Sequence, residues 1–113
     1  MKIQQLIPAV EKRFEFTLKF RKFVPQSVGC YVLTTFDGEI LYVGLTEDLN
    51  RRFFEHRETK EKRTPTPHGK AFWFYCLTCE EKDKFRIERT WLNQYLEAHG
   101  VLPVLNKIYS PVR

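Results

Sequence analysis

The apolar and polar positions of this chain repeat with two periods, two and about 3.6, and between them they lay out most of its elements. Phe14, Phe16, Leu18 and Phe20 alternate with Glu15, Thr17, Lys19 and Arg21. That period of two fits an extended, half-buried strand, with a helix through the same stretch as the alternative. Upstream, Pro8 suits a first helical turn, so a short helix is expected to start there. From Gly29 to Gly44 two β-rich runs, Cys30 to Phe36 and Glu39 to Val43, flank Asp37-Gly38, which predicts a hairpin closed by a two-residue turn. In that register Phe36 pairs with Glu39, Leu33 faces Tyr42 and Tyr31 faces Gly44.

The next segment, Thr46 to about Arg57, opens with a capping-type threonine and carries Glu47 and Asp48 where a helix dipole favours anions. A helix is expected, followed by a basic surface loop from Lys60 to Lys70 that holds Pro65, Pro67 and Gly69. Ala71 to Cys79 is an aromatic-rich apolar run bounded by polar loops, as for a central strand. Glu81 to His99 should form a long helix that stops at Gly100 and is kept from resuming by Pro103. The expected architecture is α+β: a central, mainly antiparallel sheet of the hairpin plus a third strand, flanked by helices. Residues 1–28 are expected to be an N-terminal extension packing on a domain that spans residues 29–113, all within one structural unit.

Composition changes this picture little. A chain of 113 residues, 42% hydrophobic and 15% aromatic, suits one domain and lies far from the composition of disordered chains. Three cysteines, an odd number with no secretion-type leader in Met1 to Leu6, point to a reducing compartment, with the cytoplasm as the simplest location. The longest apolar run, Ala71 to Leu77, is far shorter than a membrane span, so no membrane role is expected. The net charge of +5 and pI near 9.2 favour a polyanionic partner such as nucleic acid, or else simply a well-solvated basic surface. Arg51, Lys60, Lys62, Arg63 and Lys70 are the candidate nucleic-acid contacts. The last four either track a phosphate backbone or keep a loop soluble.

The hairpin register brings two phenols together. Tyr31 and Tyr42 emerge on one face as diagonal neighbours, either as ordinary strand tyrosines or as part of a site. Arg52 and His56, four residues apart, share one face of the following helix. Glu88 falls on the apolar stripe of the last long helix, with Phe85, Trp91, Leu92 and Tyr95 at helical spacing. A buried carboxylate needs a cation, either an arginine or a hard metal ion. Cys76-Leu77-Thr78-Cys79 has the spacing of half a zinc site but no second half, and two reduced cysteines are the expectation. His68 and His99 show no partner spacing and are taken as surface histidines.

Gly29-Cys30-Tyr31, ten intervening residues, then Tyr42-Val43-Gly44 resembles the signature of the GIY-YIG nucleases. Arg52, eight residues after the last motif glycine, and His56, four later, match that family's spacing. Glu88, and Asn106 in Pro103-Val104-Leu105-Asn106, resemble its later glutamate and asparagine. The resemblance covers about Gly29 to Asn106; Cys30 and Val43 depart from the usual isoleucines but stay apolar. It implies a metal-dependent DNA endonuclease in which Tyr31 is the general base, helped by Tyr42 and His56. By the same resemblance Arg52 clamps the scissile phosphate and Glu88 holds one Mg²⁺ or Mn²⁺. Asn106 orients the phosphate or a neighbouring site residue, or else only forms a turn. The rival readings are a nucleic-acid or protein-binding module that has lost catalysis, and a subunit that needs a separate DNA-targeting protein.

Overall fold

A computed structural model describes the chain from Met1 to Ile108, with side chains up to Asn106. Four antiparallel strands form one sheet in the order β1-β4-β2-β3, where β1 is Lys12–Glu15, β2 Gly29–Thr34, β3 Ile40–Thr46 and β4 Trp73–Thr78. β4 is an inner strand, as its aromatic run implied, though shorter than Ala71 to Cys79. Four α-helices complete the described chain: α1 Leu49–Glu58, α2 Lys60–Arg63, α3 Lys84–His99 and α4 Val104–Ile108. None of them is long and apolar enough to cross a membrane.

The sheet separates two apolar clusters. On one face Phe16, Val24, Tyr31, Leu33, Leu41, Tyr42, Leu49, Phe53, Phe74 and Leu105 pack together, which seats α1 and α4 there. On the other face Cys30, Val32, Ile40 and Val43 meet Ile87, Trp91 and Tyr95 of α3. Alternation along β2 sorts the residues, odd positions from Tyr31 facing α1 and even ones facing α3. Cys76 joins the first cluster and Cys79 packs against the second, so this pair cannot serve one zinc ion.

The hairpin keeps the expected pairing of Leu33 with Tyr42 and Tyr31 with Gly44, but not the expected turn. Thr35, not Phe36, pairs with Glu39: the Thr35 N–H donates to the Glu39 carbonyl and the Gly38 N–H to the Thr35 carbonyl, both at 3.0 Å. The loop is therefore three residues, with Gly38 at φ +87°, the arrangement in which an Asp-Gly pair ends on a left-handed glycine. The register recovers through an irregularity between Leu33 and Thr34. Leu41 is the residue left over on β3, and it and Tyr42 consequently reach the same cluster.

Elsewhere the first 28 residues do more than pack on the domain, since they supply edge strand β1, paired with β4 from Lys12↔Cys76 to Glu15↔Trp73. The alternation from Phe14 to Phe20 is strand only at its start; Leu18–Phe23 is a 3₁₀ helix. Pro8 opens no helix. Ile7 and Pro8 instead turn their carbonyls to α3, accepting from Gln94 Nε2 at 2.6 Å and Trp91 Nε1 at 2.8 Å. The helix after the hairpin is capped by Asp48, whose Oδ1 accepts from the Arg51 N–H at 3.1 Å, while Thr46 accepts from the Asp48 N–H. α3 ends as expected at Gly100, φ +73°.

Candidate functional site

Tyr31 lies at the centre of the site, wholly inaccessible and stacked on Phe74 with ring centres 5.1 Å apart. Its ring crosses the neighbouring strand directly over Gly44. A Cβ at that glycine would stand 2.5 Å from both Cζ and the hydroxyl of Tyr31, closer than real carbons approach, so any side chain there would displace the phenol. Gly29 is fixed by a similar constraint, with the Leu77 carbonyl 2.6 Å and Leu49 Cδ1 2.8 Å from where its Cβ would be. The two outer glycines of the paired motifs are thus close-approach positions, one beneath the phenol and one beneath the start of α1.

The Tyr31 hydroxyl lies 2.5 Å from Nε2 of His56, and Nε of Arg52 donates to the same oxygen at 3.4 Å. His56 also contacts the Tyr42 ring, with centres 5.3 Å apart, and the two tyrosine rings are separated by 6.0 Å. One turn of α1 places Arg52 below His56, as the i, i+4 spacing implied. Burial, followed by the charges of Lys62 and Arg52, depresses the His56 pKa to about 3, so the imidazole is neutral at physiological pH. Burial above all, then Tyr42, holds the Tyr31 phenol well above its ordinary value despite the lowering effect of Arg52. The resting pair is a protonated phenol hydrogen-bonded to a neutral imidazole.

Burial works against the Arg52 charge, but Tyr31 and Glu55 more than offset it, and the guanidinium stays charged. Its Nη1 donates to Glu55 at 2.9 Å. Lys62 is the residue that sequence reading misplaced. Expected on a basic surface loop, it sits on α2, 4% exposed, with Nζ 4.5 Å from the Tyr42 ring centre. Burial, then Arg52, lowers its pKa to about 8. No periodic signal could have found it, because α1 ends at Thr59 and a new helix carries Lys62 back to the strand. Lys60, Arg63, Lys70 and Arg51 are exposed, and Arg51 pairs with Glu55 at 3.7 Å.

Asn106 turns its amide to β3. Oδ1 accepts from the Val43 N–H and Nδ2 donates to the Val43 carbonyl, each at 2.9 Å, so the side chain occupies both backbone groups of the residue between Tyr42 and Gly44. It is a positioning residue for β3. Glu88 is 6% exposed on α3 beside Ile87 and one turn before Trp91, while Phe85, expected on the same stripe, is 61% exposed. α3 packs on β3 and β2, but on the face of the sheet opposite the Tyr31 and Tyr42 rings. Among the described residues no group of three or more His, Cys, Asp or Glu side chains gathers into a metal site.

Comparison with known proteins places this arrangement. Over 90 residues the chain is 26% identical to UvrABC system protein C of Methanosarcina barkeri, an alignment covering 77% of this chain and 17% of that protein. It is 23% identical over 82 residues to UvrABC system protein C of Lactobacillus delbrueckii subsp. bulgaricus, 71% of this chain and 14% of the relative. The chain therefore spans under a fifth of the length of these relatives. The model of the GIY-YIG catalytic domain matches residues 27–99, which take in the Tyr31, Tyr42, Arg52, His56 and Glu88 positions; the chain belongs to the GIY-YIG nuclease family.

Proposed function

We propose that this protein is a metal-dependent DNA endonuclease that hydrolyses a phosphodiester bond at the Tyr31–His56–Arg52 cluster. The observation that carries the reading is the buried phenol held between a neutral imidazole at 2.5 Å and a guanidinium at 3.4 Å. A phenol so placed can take a proton from an attacking water while handing its own to His56 Nε2, and Arg52 stabilises the phenolate as it forms. The same guanidinium is planar and permanently charged, so its remaining donors suit a scissile phosphate. Lys62 adds a second cation beside Tyr42.

A Mg²⁺ or Mn²⁺ ion fits the chemistry of the donors at hand. Mg²⁺ is commonly bound through one or two carboxylates plus substrate phosphate, keeping several waters, and Glu88 is a buried carboxylate on α3, which covers the face of the sheet opposite the tyrosine rings. Held by Glu88, the ion would supply positive charge to the leaving oxygen. Asn106 acts at one remove, fixing β3 and through it Tyr42 and Gly44.

The test is conversion of supercoiled plasmid to nicked or linear DNA by purified chain. The expected result is activity with Mg²⁺, none with a chelator, and none in Glu88→Gln or Arg52→Ala. Equal cutting by the parent and both variants would remove these residues from the mechanism. A second reading, a nuclease that needs a targeting partner, is supported by one observation: the relatives are named as a component of a UvrABC system and are more than five times longer than the matched region. Slow, unselective cutting by the isolated chain, accelerated by a separate DNA-binding protein, is the outcome that reading expects.

A further inference from the structure

Beside the catalytic cluster lies an open cleft of about 510 Å³, walled by Phe16, Phe36, Arg57, His68, Lys70 and Phe72 among others. Phe16 belongs to the core, but Phe36 does not. Phe36 occupies the hairpin turn, where no core requires it, and is 66% exposed. Even so it is held firmly: its ring meets Phe72 edge to face at 5.0 Å and stacks on Trp73 at 6.4 Å with the planes 29° apart, while its carbonyl accepts from Trp73 Nε1 at 3.2 Å. The opposite lip is equally built. Gly69, at φ +123°, lets the loop after α2 close on Thr35, whose Cγ2 would be 2.9 Å from an added Cβ.

Cations face this wall. Arg57 follows His56 on α1, packs over Phe16 at 5.1 Å, and among the described residues its buried Nε has no hydrogen-bond partner. Burial, then the nearby charge of Arg63, lowers its pKa. Lys70 and His68 complete the basic side. Glu15 and Asp37 also line the cleft, so it is no uniformly cationic channel for a sugar-phosphate backbone. Carboxylates accept from the amino groups of bases, aromatic faces stack on any base, and a guanidinium at the wall takes a phosphate.

The geometry points to this cleft as a pocket for one unpaired nucleotide of the DNA substrate, its base against Phe36 and Phe72 and its phosphate on Arg57. The assignment rests on the nuclease reading and deepens it by naming the substrate class: DNA with a single-stranded or locally opened segment next to the cut. Thr35, just past the end of β2, is four residues beyond Tyr31, or roughly 13 Å at about 3.3 Å per residue. That distance spans roughly four nucleotide steps at B-form spacing.

Binding of a fluorescein-labelled mixed-sequence 15-mer, single-stranded and as the matching duplex, tests this by anisotropy with a chelator present, so that no cleavage is needed. Phe36→Ala and Arg57→Gln should each weaken single-strand binding about ten-fold and change duplex binding less than two-fold, with circular dichroism spectra like the parent's. Unchanged single-strand affinity in both folded variants, or equal losses on both DNAs, overturns the pocket. Tighter binding of the same sequence as RNA overturns its assignment to DNA. A chain that binds as expected yet never cuts DNA would defeat the nuclease reading and leave the pocket standing.

Discussion

At Gly44 one added carbon would collide with the hydroxyl on which the site depends. Gly44→Ala should therefore displace Tyr31, costing about 1–3 kcal/mol in urea unfolding by overpacking and lowering cleavage at least ten-fold. Tyr31→Phe separates chemistry from packing, because the ring stays and only the hydroxyl goes. It leaves His56 Nε2 buried without its partner, a loss of about 1–3 kcal/mol. The pairing of Tyr31 with Gly44 was legible in the sequence because a hairpin register follows from alternation; that the ring lies over the glycine was not, since a rotamer is settled only by packing. Lys62 shows the same boundary. Its type and position were plain, but nothing local says that a lysine past the end of one helix returns to cover a tyrosine.

Among the elements, α1 does the most for the site, since it carries Arg52, His56 and Arg57 on adjoining faces. Its cap was expected at Thr46 and lies two residues later, at Asp48, while Thr46 only shapes the turn before it. Asp48→Ala should cost about 1 kcal/mol and loosen Arg52 with it, seen as a lower melting temperature and weaker cleavage together. Asn106→Ala should cost more, on the order of 2–4 kcal/mol, because both Val43 backbone groups lose their buried partners. The family resemblance marked Asn106 but not its task, since the contact joins residues 63 apart in sequence. Similarly, the Asp-Gly turn was readable as a hairpin signal, yet whether it closes over two residues or three depends on a glycine angle that the dipeptide permits either way.

For the whole molecule, the buried neutral imidazole gives stability a definite pH dependence. The folded pKa of His56, about 3, lies below its ordinary 6.5, so between these values the unfolded chain binds the extra proton. The contribution is fully present above about pH 6.5 and is lost as pH falls through that window, up to about 5 kcal/mol in total. Urea unfolding followed from pH 7 to pH 4 should show this slope, and His56→Gln should flatten it. The sheet and its two faces could be read in advance from the strand periods. The alternation from Phe14 marked an extended segment, but that β1 spans only four residues and joins the sheet could not be read, because its pairing with β4 is chosen by tertiary fit.

The central claim is that the Tyr31 hydroxyl, poised between His56 and Arg52, is the proton acceptor for DNA hydrolysis. It is tested most directly by single-turnover cleavage of an end-labelled oligonucleotide with Mg²⁺, comparing the parent with Tyr31→Phe. The expected result is a rate reduced at least 100-fold in a variant that binds the oligonucleotide as tightly as the parent. A Tyr31→Phe protein that is folded and cuts within a few-fold of the parent rate would contradict it.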